Sequence, residues 1–288
     1  MKSFLSLLGI DIYFRPLSLF HMKKVQLTCY IRTLNEEHRI HEVIEAAGEL
    51  CQEVILVDSG STDRTVAIGL ELGVRVINQE WLGNGGQKRV GERAASNDWV
   101  LDLDADEVLS SELAEEIRSL FKDGTPLQSV YELKLVTVPP FGGPWLTSCL
   151  AWRRKLYDRR VHSIPDHPAW DQLEITDLAE VGRLKAPLFH YSFINVEHML
   201  AKMNRVSSVR GEKKRLKPLW EVKMRVFFGF PFYFFKKYVR QQMFREGTYG
   251  FACAVILAGQ RWLTDVKMLE RWMFFKLGSE QLKARDFG

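Results

Sequence analysis

Three stretches place polar side chains at the ends of apolar runs. Val25 to Ile31 leads into Arg32-Thr33-Leu34-Asn35-Glu36-Glu37. Val54-Ile55-Leu56-Val57 leads into Asp58-Ser59-Gly60-Ser61-Thr62-Asp63. Trp99-Val100-Leu101-Asp102-Leu103 leads into Asp104-Ala105-Asp106-Glu107. Carboxylates gathered around one cleft repel each other unless cations or hydrogen-bond donors lie between them. A divalent metal carrying a nucleotide diphosphate meets that need. Mg²⁺ and Mn²⁺ prefer oxygen ligands and are commonly shared between carboxylates and substrate phosphates. In Asp104-Ala105-Asp106 both carboxylates turn to the same mouth as the chain leaves its strand, one toward the metal and one toward a ribose or sugar.

These side chains need a scaffold that brings strand ends together. The runs at 25–31, 53–57 and 99–103 read as buried strands, with a shorter one at 74–77. Residues 36–50, 65–72, 88–95 and 111–121 have helical spacing or helix start signals. Strands alternating with helices predict an α/β domain with a mostly parallel sheet. In such sheets ligands bind beyond the carboxyl ends of the strands. Residues 130–138 and 153–190 read as irregular and β-rich, and 197–215 as a basic helix.

The chain has 288 residues, 46% of them hydrophobic, enough for one large domain with an appendage. Cys29, Cys51, Cys149 and Cys253 have neither paired nor metal-ligand spacing, which argues against a disulfide scaffold or zinc site and fits a reducing compartment. The net charge of +4 conceals two opposed halves. Residues 1–182 carry 19 Lys and Arg against 28 Asp and Glu, whereas residues 183–288 carry 21 against 8. No stretch is long and apolar enough to predict a spanning helix. Phe227 to Phe235 is a dense aromatic block bounded by Lys223, Arg225, Lys236, Lys237 and Arg240. Rings flanked by cations suit an anionic bilayer interface. The aromatics form one block rather than alternating with the basic residues, which disfavours nucleic acid as the partner. Residues 1–21 precede a second Met, Met22, and read as an extension rather than a secretory signal.

Taken together, Thr33-Leu34-Asn35-Glu36-Glu37, Val57-Asp58-Ser59-Gly60-Ser61-Thr62-Asp63, Gly85-Gly86-Gln87-Lys88-Arg89 and Leu101-Asp102-Leu103-Asp104-Ala105-Asp106-Glu107 resemble the family 2 glycosyltransferases of GT-A fold. The nearest likeness is to the lipopolysaccharide-core β-glucosyltransferases. It is strong over about residues 25–110 and weaker through His190-Tyr191-Ser192, Lys202 to Arg205 and the Phe-rich tail. The resemblance implies that Thr33 and Glu36 contact a nucleoside and that Asp58 binds the base. It puts Asp104 at the ribose–metal position, Asp106 at the metal, and Gln87 and Lys88 at the mouth beside the diphosphate or sugar. It also implies a UDP-glucose donor, an Mg²⁺ or Mn²⁺ cofactor, and a lipid-linked saccharide acceptor at the cytoplasmic face of the inner membrane. The contact there would be peripheral or monotopic. His190, after an apolar run, reads either as a metal or phosphate ligand or as a core histidine.

Inverting transfer needs a general base on the acceptor hydroxyl, usually a carboxylate. The segment Val161 to Leu173 offers Asp166 and Asp171. Asp171 is preferred because Leu173 follows it as in the family pattern. The reading divides the chain into an extension at 1–21, a GT-A domain at 22–195 and a basic, aromatic helical tail at 196–288. Two alternatives remain at this level. A nucleotidyltransferase-like enzyme usually carries a Gly-rich signature near the N-terminus, and residues 25–40 contain no Gly. A non-catalytic nucleotide-sugar-binding scaffold would not need the whole set Asp58, Lys88, Asp104 and Asp106.

Overall fold

The structure is a computed structural model, and it describes residues 23–148, 150–168, 170–175, 181–213 and 216–286. The expected extension at 1–21 and Cys149 lie outside the described residues.

Four parallel strands form one half of an eight-stranded sheet: β1 (Val25–Thr33), β2 (Cys51–Asp58), β3 (Arg75–Asn78) and β4 (Trp99–Asp104), in the order β3-β2-β1-β4. They are joined by α1 (Ile40–Leu50), α2 (Thr65–Glu71) and α3 (Asn84–Ala94). Helix α1 buries Ile40, Val43, Ile44, Ala47 and Leu50, a one-sided stripe at helical spacing. Its stripe packs on Leu27, Ile31 and Leu56 of the sheet. Each fully buried Leu or Ile contributes about 1.5–3 kcal/mol through removal of apolar surface from water. Helix α4 (Ser111–Leu120) starts where the Ser110 hydroxyl accepts the Leu113 amide at 3.0 Å.

The other half of the sheet is mixed. Strand β4 is antiparallel to β7 (Ala151–Asp158), and β7 to β6 (Val130–Thr137). Strand β6 runs parallel to β8 (Val181–His190), which closes on the short β5 (Glu107–Leu109) in antiparallel fashion. The α/β architecture is as expected, but the purely parallel part stops at β4. Among the described residues no helix intervenes between β6 and β7, and antiparallel neighbours need no crossover helix.

Three helices follow: α5 (Val196–Lys213), α6 (Leu219–Phe235) and α7 (Gly247–Asp286). They dock on the sheet portion through one apolar cluster, in which Trp145 and Phe193 meet Met199, Met243, Cys253 and Ala254. Asp265 of α7 ties α6 in place, accepting from the Tyr233 hydroxyl at 2.6 Å and the Arg225 guanidinium at 3.1 Å. Among the described residues no helix is long and apolar enough to cross a membrane. Phe227, Phe228, Phe232 and Phe235 of α6 are each at least 60% exposed.

Candidate active site

Sheet register brings the strand-end residues together. Thr33 lies opposite Asp58 across β1 and β2, and Arg32 opposite Asp104 across β1 and β4. The buried Asp58 carboxylate organises its own loop: it accepts the Gly60 and Ser61 amides, both at 2.8 Å, and the Ser61 hydroxyl. Gly60 has φ of +96°, a backbone state that only glycine adopts readily. The Ser61 hydroxyl accepts the Asn35 amide, and Asn35 Oδ1 accepts the Thr62 amide, each at 2.8 Å. The β1 and β2 loops are thereby laced into one wall. Thr33 Oγ1 is buried in that wall and makes no hydrogen bond among the described residues.

Beside this wall sits an ion cluster. Lys88 of α3, 1% exposed, places Nζ 2.6 Å from Asp102, 3.5 Å from Asp171 and 3.9 Å from Asp104. Arg32 reaches Asp104 at 2.5 Å and Asp171 at 3.1 Å. Lys155 of β7 reaches Glu107 at 2.6 Å and Asp104 at 3.6 Å. Burial disfavours ionisation of Asp104, yet Arg32, Lys88 and Lys155 together hold its carboxyl well below the usual range. The same opposition acts on Asp171: burial pushes its pKa up, but Lys88 and Arg32 prevail and lower it. Burial also works against the charge of Lys155, and Asp102, Glu107 and Asp104 overcome it, raising its pKa.

Asp106 belongs to a second, smaller group. Its Oδ2 lies 3.3 Å from His190 Nε2 and 3.6 Å from Lys202 Nζ of α5. Burial opposes ionisation of both partners, yet His190 lowers the Asp106 pKa and Asp106 raises that of His190. Glu36 faces this group; burial, reinforced by the Asp106 charge, pushes its pKa up to about 7. Asp104 and Asp106 are thus divided between two clusters, with Asp104 caged by cations and Asp106 paired to His190.

The segment with the two candidate bases docks on the N-terminus of α3, backbone to backbone. The Asn84 amide donates to Pro168 O at 3.1 Å and the Gly85 amide to His167 O at 2.9 Å. A Cβ on Gly85 would come within 2.1 Å of Pro165 O, so only glycine permits the approach. This contact holds Asp171 against Arg32 and Lys88, whereas Asp166 stays exposed. Gln87 is fully buried and spends its side chain inside the protein. Its Nε2 donates to Ser59 Oγ and Gln79 O, both at 3.0 Å, and Oε1 accepts the Leu82 amide.

Arg32, Asp102, Lys155 and Lys202 also belong to the site and were not singled out from the sequence. The signal for a hidden cation was present in Asp102, a carboxylate in the middle of an apolar strand. Such a group needs a buried positive partner.

A family model, Glycosyl transferase family 2, matches residues 28–166. An uncharacterized glycosyltransferase of Rickettsia conorii is 30% identical over 273 residues, covering 91% of this chain and 95% of that protein. The chain belongs to glycosyl transferase family 2. A lipopolysaccharide core biosynthesis glycosyltransferase of Rhizobium meliloti, LpsC, is 27% identical over 255 residues, covering 86% of this chain and 93% of that protein. Among solved structures, TarS of S. aureus in complex with UDP-GlcNAc aligns with 86% of this chain and 92% of its own, at 15% identity and a TM-score of 0.44. The mixed α/β sheet described above is the fold of this family 2 glycosyltransferase.

Proposed function

We propose that this family 2 glycosyltransferase moves a hexose, with inversion, from a nucleotide diphosphate sugar to a lipid-linked saccharide such as a lipopolysaccharide core. One juxtaposition carries the reading: Asp171 lies beside Arg32 and Lys88 at the strand ends that also present Asp58 and Asp104. A carboxylate for the acceptor and cations for a diphosphate then share one cleft. UDP-glucose is the expected donor. The likeness to LpsC, which extends over most of both chains, supports the acceptor class. The exposed rings of α6 and the basic balance of residues 183–288 support a membrane-surface location at the cytoplasmic face.

The donor set at Asp106 fits a divalent cation. One carboxylate oxygen and one imidazole nitrogen converge there beside Glu36, and a bound cation would take the place of the Lys202 ammonium, now 3.6 Å from the same oxygen. Among the described residues no group of three or more His, Cys, Asp or Glu forms a complete cage, so substrate phosphate and water would supply the remaining oxygens. Asp106 and His190 would hold the ion, which would supply positive charge to the leaving diphosphate.

The chain's own residues account for the remaining chemistry. The acceptor oxygen forms its bond to the anomeric carbon as the bond from that carbon to the diphosphate oxygen breaks. The acceptor proton passes to Asp171. Arg32 and Lys88 keep Asp171 ionised before reaction. A leaving diphosphate attracts the same cations, and their withdrawal from Asp171 would raise its basicity as the proton arrives.

Asp171→Asn should cut turnover by about 10²–10⁴-fold, the usual contribution of a general base, while donor affinity is retained. Asp166→Asn should stay near wild type. Steady-state rates and donor titrations check both, and the opposite pattern would exchange the two roles. The reading as a whole is tested by thermal shift against a panel of nucleotide sugars with and without Mn²⁺. A UDP-hexose should raise the melting temperature most, and more so with Mn²⁺. A panel with no response would overturn the donor class.

A further inference from the structure

Between α5, α6 and α7 lies an open apolar cavity of about 470 Å³. Met203 of α5, Val226 and Phe230 of α6, and Ile256 and Trp262 of α7 form its walls, and no charged side chain lines it. The Trp262 indole N–H is spent on Val226 O at 2.8 Å, so that ring offers only its apolar surface. Gly259 completes the wall. A Cβ built there would meet only the Met203 sulfur, at 3.8 Å, so part of the volume exists because this position lacks a side chain. The size lies within the range of small-molecule sites, and the lining suits a hydrocarbon rather than a polar ligand.

Position and charge narrow the ligand. The cavity opens beside Phe227, 77% exposed, at the edge of the α6 aromatic face. On α5 and α7, Arg210 and Arg261 lie near each other, and burial followed by the Arg261 charge lowers the pKa of Arg210. Among the described residues neither arginine forms an ion pair with a carboxylate, so these two helices carry cations that an anionic headgroup could meet. Helix α5 lies between the cavity and Asp106: Leu200 and Met203 line the cavity, while Lys202 of the same turn brings its ammonium to within 3.6 Å of Asp106.

We propose that this cavity seats one acyl chain of the lipid-linked acceptor, with the saccharide head delivered to the mouth at Asp106. The proposal rests on the acceptor being lipid-linked, as argued above. A chain inserted here leaves water and the leaflet together, and each buried methylene adds to acceptor affinity.

The test uses the full-length protein and an acylated glucosamine phosphate bearing a diazirine on one acyl chain, at a concentration below micelle formation. After photolysis, mass spectrometry should place the label on Met203, Ile256 or Trp262. Gly259→Phe, which fills the space, should reduce that label at least ten-fold, and Met203→Trp should do the same from the α5 side should Gly259→Phe fail to fold. Unlabelled acylated glucosamine phosphate should compete at lower concentration than phosphatidylglycerol. Label confined to Phe228, Phe232 and Phe235, or unchanged labelling of both variants, would overturn the proposal. Equal competition by phosphatidylglycerol would assign the cavity to bilayer lipid and overturn the acceptor assignment. The UDP-glucose thermal shift is read in parallel. Its absence in a wild-type protein that still labels in the cavity would sink the donor reading and leave the lipid site standing.

Discussion

Asp106→Ala should reduce glycosyl transfer by at least about 10²–10³-fold while the protein remains folded, the scale seen when one preorganised electrostatic contact to a reacting centre is removed. Asp106 is the only carboxylate within ion-pair distance of His190 and Lys202 among the described residues, so its loss strips the mouth of its paired anion. The same variant has a pH signature in stability. Asp106 titrates below its ordinary value of 3.8, so its contribution is present above that value and lost as pH falls through the lowered one. His190 titrates above its ordinary 6.5, so its contribution is present below 6.5 and lost as pH rises through the raised value. The pair therefore stabilises the fold most between about pH 3.8 and 6.5. Melting curves should show a larger deficit for Asp106→Ala at pH 5.5 than at pH 8.5. Wild-type transfer rates in this variant would remove Asp106 from the site.

Lys88→Met should instead act first on stability. Asp102 is fully buried, its Oδ2 takes the Lys88 ammonium at 2.6 Å, and its Oδ1 makes no hydrogen bond among the described residues. Removing the cation strands a charge in the interior, at a cost of about 3–5 kcal/mol. Urea denaturation should report that loss. Adding Asp102→Leu should recover most of it, because an apolar pair of similar volume often matches or exceeds a buried ion pair. Transfer should stay lost in the double variant, since Lys88 also faces Asp104 and Asp171. A Lys88→Met protein as stable as wild type would contradict the buried-pair account.

The parts of this site that could be read from the chain are those fixed by local pattern. Asp58 ends the apolar run Val54–Val57 and Asp104 ends a run broken only by Asp102, and sheet pairing of successive βα units then brings them together. Arg32 needed more than pattern: it becomes a partner of Asp104 because parallel register sets the two side by side. Lys155 was less accessible still. It sits next to Leu156, which pairs with Leu101 through the antiparallel β4–β7 contact, a long-range arrangement that periodicity does not encode. Gln87 shows the reverse case. The motif placed it at the mouth, but a side chain with two ends can be consumed by backbone partners that only the folded loop supplies. The helical tail was visible as basic and aromatic, whereas its cavity depends on which residues of three helices converge.

The docking of residues 165–168 on α3 bears on how this enzyme can diversify. At the N-terminus of α3 the contact is made by main-chain amides and carbonyls across a glycine, while the Arg89 and Glu92 side chains hold Ser163 and Ile164 just upstream. The location of the Asp171 carboxylate is therefore inherited from the backbone path. Trp170, exposed just beyond the docked residues, can change identity without dragging that carboxylate along, whereas the His167 ring accepts the Trp170 amide and shapes the loop. Selection for a new acceptor could work on that surface position while Gly85 stays constrained, a separation of what must be kept from what can vary.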